Sequence, residues 1–249
     1  MFTNFRKRGC IDIMTKPTGK SFDSIKAFIF DLDYVLFNED LYYYAVFKRM
    51  SDLLNLQNTE FKSMIKIYKN NKIKSKDILG DILRGLNKYT PRLKNTFFEF
   101  YKSTFKPLTL YDDAKKIISI LSKNNIKLGI VTNGTIEAQK SKVKCLGIEN
   151  IFNNILYARE FGRKYEKPHI RPFIEICKRL EIEASENIYI GDNPKTDFNG
   201  AKRLGFITIR VLRGAFKESS TNADIDYEIK NLYKLLKMNI LGYCKINRG

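Results

Sequence analysis

Short apolar runs alternate with amphipathic stretches along most of this chain. Residues 27–30, 127–131, 155–157, 187–190 and 206–212 are strand-length, mostly apolar runs. Such runs read as buried strands. Residues 114–121, 136–146, 172–180, 195–204 and 229–238 instead place apolar side chains near the helical period. Gly147 and Gly205 stand where two of these helices would stop, and Pro172 occupies a tolerated first-turn position. Strands alternating with helices imply right-handed crossovers and a mostly parallel sheet, an α/β fold.

One stretch breaks the alternation. Between residues 38 and 107 no strand pattern occurs. Tyr42, Tyr43, Ala45, Val46, Met50 and Leu53 follow a helical period, as do Leu79, Ile82, Leu83 and Leu86, and then Phe97, Phe98, Tyr101 and Phe105. This predicts an all-helical insertion. The expected organisation is a basic N-terminal extension over 1–21, an α/β core from 22–37 and 108–249, and a helical domain over 38–107.

Acids and turn residues gather where the strands end. Asp31-Leu32-Asp33 follows the first run, Thr132-Asn133-Gly134 the second, and Gly191-Asp192 the fourth, with Asp197 five residues on. Parallel sheets build their sites at the carboxyl ends of strands, so these stretches are expected to converge on one edge. Two carboxylates beside a buried strand are costly to place, and a metal ion makes the arrangement tolerable. Each motif alone is an ordinary turn or helix cap. Their order, with Lys167-Pro168 between the last two, is what gives them weight.

In order, spacing and flanking pattern these motifs resemble the haloacid dehalogenase-like superfamily, from about residue 25 to about residue 212. The stretch from Gly191 through Asp197 to Gly205 is the most specific part. The resemblance implies a Rossmann-like core with a small helical cap, and phosphoryl-transfer chemistry. Asp31 would be the nucleophile, forming an aspartyl-phosphate, and Asp33 the acid and base. Lys167 would bridge Asp31 and the phosphate. Thr132, Asn133 and Gly134 would bind the substrate phosphoryl group. Asp31, the Asp33 carbonyl and Asp192 would hold Mg²⁺, a hard ion for oxygen ligands, with Asp197 behind them. Asp33 also separates phosphatases from the metal-free dehalogenase branch, which has another residue there. Gln139 is similar to a feature of nucleotide and sugar-phosphate phosphatases.

The chain departs from that pattern in three places. Tyr34 stands where the family often has Gly and is expected to narrow the mouth of the site. The gap from Glu160-Phe161-Gly162 to Lys167 is long, which makes Lys164 the second candidate for the lysine. The N-terminal extension lies outside the pattern.

Composition narrows the partners. The net charge of +18 could mark a nucleic-acid partner. Yet 32 of the 45 basic residues are Lys, spread along the chain, so they read as solvated side chains beside a small anionic substrate. The 38–107 insertion carries 14 Lys and Arg against 7 Asp and Glu, which would suit a substrate with further anionic groups. No apolar run is long enough to span a membrane, and the basic N-terminus is not followed by a signal-like stretch, so the expected compartment is the cytoplasm. Cys10, Cys145, Cys177 and Cys244 form no Cys-x-x-Cys pair and are expected as reduced thiols, with Cys145 and Cys177 buried. The expected function is a Mg²⁺-dependent phosphatase acting on a sugar phosphate or nucleoside monophosphate. The alternatives are a phosphomutase or phosphoryl transferase, and a basic nucleic-acid-binding protein.

Overall fold

The computed structural model describes residues 14–15, 22 and 24–238. Strand β1 (Met14–Thr15) precedes β2 (Ala27–Phe30). Four helices follow, α1 (Glu39–Leu53), α2 (Asn58–Asn71), α3 (Ile78–Gly85) and α4 (Pro91–Lys102). Alternation then begins with α5 (Asp112–Lys123), β3 (Lys127–Thr132), α6 (Ile136–Leu146) and β4 (Asn154–Tyr157). It continues through α7 (Arg171–Leu180), β5 (Asn187–Gly191), α8 (Asn199–Leu204), β6 (Ile207–Val211) and β7 (Tyr227–Ile229).

The sheet runs β1-β7-β6-β5-β2-β3-β4, parallel throughout except for β1 at its edge. Central strand β2 explains its own composition. Phe28 and Phe30 join the core on one face, Ala27 and Ile29 the core on the other, so no position is left polar. Ala114, Ile117 and Leu121 of α5 cover the first face. Phe173, Ile176 and Leu180 of α7, with Ala201 of α8, cover the second. The fold is a Rossmann-like α/β sandwich.

The insertion is all-helical, as its periodicity predicts. Side chains of Asn38, Asp77 and Thr90 cap α1, α3 and α4 by accepting from Asp40, Gly80 and Leu93 amides. Phe47, Met50, Met64, Tyr68, Ile82 and Phe97 are buried together and continuous with the first core. Phe105 lies past the end of α4 and is 67% exposed, so it does not extend that helical face.

Three expectations change. Helix α8 begins at Asn199, four residues later than predicted, because residues 193–197 form a turn around the Asp197 carboxylate. The predicted 229–238 helix is instead the end of β7 followed by a 3-10 segment, Leu232–Lys237. Ile229 pairs with Val211 in the sheet, and the Leu232 amide donates to buried Asp113 on α5 (2.7 Å), which turns the chain away from helix. Cys145 and Cys177 are free but only half-buried. Most of the N-terminal extension, including Cys10, lies outside the described residues, as does Cys244, but Met14–Thr15 joins the sheet against Tyr227 and Glu228.

Phe47 is fully buried against the Tyr68 and Phe97 rings. Phe47→Ala is expected to cost about 3–5 kcal/mol, measured by chemical denaturation.

Candidate active site

Sheet register places the site. Phe30 of β2 lies beside Ile130 of β3 and Ile190 of β5, so Asp31, Thr132 and Asp192 emerge together at one edge. The Asp31 amide donates to the Ile190 carbonyl (2.8 Å), extending the ladder by one step.

Lys167 comes from the irregular segment before α7. Its ammonium lies 2.8 Å from Asp31 Oδ1 and 2.9 Å from Asp197 Oδ1, and donates to the Tyr189 hydroxyl at 2.8 Å. Only 4% of the residue is exposed. Asn133 holds its backbone from both sides: Asn133 Oδ1 accepts from the Lys167 amide (2.8 Å) and Asn133 Nδ2 donates to the Lys167 carbonyl (2.9 Å). The Asp197 carboxylate in turn accepts from the Asp192 and Asn193 amides at 3.0 and 2.9 Å. Gly191 permits this approach, because a Cβ there would lie 2.6 Å from Asp197 Oδ2. Arg210 of β6, fully buried, donates to the Asp192 and Phe216 carbonyls and pairs with Glu228.

The electrostatics are strained by burial. Oxygens of Asp31, Asp192 and Asp197 lie within 4.8 Å of one another, all three residues buried. Burial pushes the Asp31 carboxyl up to about 7, with Lys167 pulling it down. Burial and then the Asp197 and Asp31 charges push Asp192 well up. Lys167 is held well above its usual range by Asp197 and Asp31 despite its burial. Asp192 Oδ2 is buried with no hydrogen-bond partner. If all three carboxylates ionise, the one ammonium leaves two negative charges uncompensated. An all-oxygen set of this charge fits a hard divalent cation.

Asp33 is held differently. Its carboxylate is turned to α6, where Lys142 donates to both oxygens at 2.8 Å and Gln139 to Oδ2 at 2.9 Å. Gln139 also donates to the Asn133 carbonyl (2.8 Å) and Thr132 Oγ1 (2.5 Å). Lys142 is 1% exposed and also pairs with Glu39, the first residue of α1, at 2.6 Å. Any share Asp33 has in a cation therefore goes through its main-chain carbonyl.

Asp31, Asp33, Thr132, Asn133, Lys167, Asp192 and Asp197 all line one cavity of about 260 Å³. Gly134 does not; its amide donates to Glu166 Oε1 at 2.7 Å, away from that cavity. Lys164 is exposed beside the Tyr165 ring, so Lys167 is the lysine at Asp31. Sequence reasoning missed Glu39, Lys142 and Arg210. Lys142 was within reach: with Gln139 it makes an i, i+3 polar pair on one face of the helix that follows Thr132. Glu39 and Arg210 left no such signal.

Residues 28–211 match the pattern of the haloacid dehalogenase-like hydrolases. This chain belongs to that family. It is similar to glyceraldehyde 3-phosphate phosphatase of Methanocaldococcus jannaschii, 31% identical over 220 residues that cover 85% of this chain and 96% of the relative. The enzyme of the same name from Methanopyrus kandleri is 33% identical over 140 residues, 55% of this chain and 59% of the relative. Among solved structures, the HAD-hydrolase YfnB from Bacillus subtilis, bound to magnesium, superposes with a TM-score of 0.65 at 21% identity, covering 86% of this chain and 98% of that one. That likeness is one of fold. No helix among the described residues is long and apolar enough to cross a membrane.

Asp31 and Glu39 both sit near 7 in the folded chain, against ordinary values of 3.8 and 4.5. The fold therefore binds more protons than the unfolded chain between those values, and metal-free stability falls as pH rises through that window. A divalent cation held by Asp31 and Asp192 would compete with the protons there. Adding Mg²⁺ is expected to raise the melting temperature by several degrees at about pH 8 and little at about pH 5. Equal shifts at both, in a thermal melt, would contradict the assignment.

Proposed function

We propose that this hydrolase cleaves small sugar phosphate monoesters by way of an aspartyl-phosphate on Asp31. The observation that carries this reading is the pair of carboxylates on one loop with unlike partners. Asp31 is paired with Lys167, and Asp33, lining the same cavity, is held by Lys142 and Gln139. These unlike partners support attack on phosphorus by Asp31 and proton transfer by Asp33.

Asp31 Oδ would form the bond to phosphorus while the bond to the leaving oxygen breaks. Asp33 would give that oxygen its proton, then take one from the water that hydrolyses the acyl phosphate. The Thr132 hydroxyl and the Asn133 amide would hold phosphoryl oxygens, and the Lys167 ammonium would offset charge on both reactants. Asp31, Asp192 and the Asp33 carbonyl would hold Mg²⁺, with Asp197 fixing the turn behind them. The ion would supply positive charge against the repulsion between a dianion and a carboxylate.

The leaving-group side bears on substrate class. Tyr34, Glu39 and Phe216 line it, and Lys167 is the one cation along the cavity among the described residues. Lys72 is paired with Asp40 at 2.6 Å and Lys142 with Asp33 and Glu39. The positive charge of the insertion thus does not reach the cavity, and the lining favours a neutral, hydroxylated leaving group over one with further anionic groups. The named relatives, both glyceraldehyde 3-phosphate phosphatases, support the same class.

Phosphate release from a panel of sugar phosphates is expected to require both Mg²⁺ and Asp31, and to vanish in Asp31→Asn. Asp33→Asn is expected to lower kcat by about 10²–10⁴. Phosphoenzyme that accumulates without phosphate release would instead point to transfer onto an acceptor other than water.

A further inference from the structure

Tyr34 sits directly after the Asp31–Asp33 pair with φ of +56°, a left-handed conformation that strains a side-chain-bearing residue. Its neighbours hold it there. The ring lies so close to Gly214 that a Cβ on that residue would sit 2.4 Å from Tyr34 Cγ. Its hydroxyl donates to Asp40 Oδ1 (2.5 Å) and accepts from Lys72 Nζ (3.0 Å), both residues of the helical insertion. Tyr34 is 7% exposed, so the ring fills the space between core and insertion.

Something lies behind it. Tyr34, Glu39 and Phe216 line the catalytic cavity of about 260 Å³ and also a second cavity of about 130 Å³. The second is lined further by Tyr43, Tyr68, Lys72, Ile73 and Ile78. Tyr43 and Ile78 also border a third, of about 190 Å³, lined by residues of the insertion. These spaces are largely aromatic and apolar, and the Tyr34 ring is part of the wall that parts them from the reacting groups.

Resting on the phosphomonoester reading, we propose that Tyr34 sets the upper size limit of the leaving group. Its ring closes the catalytic cavity against the aromatic space of the insertion. Removing the ring would join the two and admit monoesters with larger, flat or apolar leaving groups. Glycine is the natural probe, because it adopts positive φ without strain while deleting the ring. Tyr34→Phe keeps the ring and loses only the hydroxyl's bonds to Asp40, Lys72 and Tyr68.

The test compares kcat/KM for a three-carbon sugar phosphate and for a nucleoside 5′-monophosphate in wild type, Tyr34→Gly and Tyr34→Phe, with folding checked by circular dichroism and thermal melts. The ratio of large to small substrate is expected to rise by about tenfold or more in the glycine variant, the scale on which pocket volume discriminates substrates. It should stay near the wild-type value in the phenylalanine variant. An unmoved ratio in folded Tyr34→Gly overturns the gate while leaving the phosphatase reading intact. A ratio that moves as far in Tyr34→Phe assigns the effect to the hydroxyl's tie to the insertion and also overturns it. Wild type that releases phosphate from no ester would overturn the underlying reading itself. Should the glycine variant fail to fold, Tyr34→Asn carries the same comparison, since Asn tolerates positive φ.

Discussion

The site rests on one buried ammonium. Lys167 lies between Asp31 and Asp197 with almost no solvent, and without it three carboxylates would crowd a buried pocket uncompensated. Much of the local structure exists to put that ammonium there. Asn133 grips the Lys167 backbone from the end of β3. Gly191 lets the 193–197 turn fold back, so that two amides hold Asp197 against the lysine. The late start of α8 is a consequence of that turn and not a failure of helix propensity. With all three carboxylates ionised, a single ammonium still leaves the cluster at a net charge of −2. The Asp192 oxygen without a partner faces that cluster of carboxylates.

A second buried lysine joins the helical insertion to the same chemistry. Lys142 of α6 bonds Asp33 on the core loop and Glu39 at the first turn of α1. Each half of the molecule therefore supplies one acid to a shared cation. The insertion owes its position to this contact as well as to the apolar core it continues. Its abundant lysines face elsewhere or are already paired, so net charge is a poor guide to what the cavity holds. Tyr34 completes the boundary from the core side.

Much of this was legible in the sequence. Strands with both faces buried are largely apolar, so 27–30 and the Ile188–Ile190 run after Asn187 read as strands. Helix α6 was readable to the residue because periodicity and a terminal glycine agree. Asp31, Asp33, Thr132, Lys167, Asp192 and Asp197 were each named from strand ends and family resemblance, and they line one cavity. The C-terminal segment misled, because Ile229, Leu232 and Leu235 suit a helix by spacing while sheet pairing and the Asp113 carboxylate compete for the same backbone. Gly134 misled too, since nothing in the sequence says that its amide belongs to Glu166.

By itself the sequence determined the α/β order, the helical insertion and the acids at the strand ends, because all three follow from local periodicity and from what a buried strand tolerates. Only the tertiary structure decided which charges neutralise which. Lys142 with Asp33 and Glu39, Asn133 on Lys167, and Tyr34 against Gly214 join residues that are near in space and distant in sequence. Such pairings carry no period. They are set by how the insertion packs on the sheet edge, and that packing settles both the protonation of the site and the size of the space beside it.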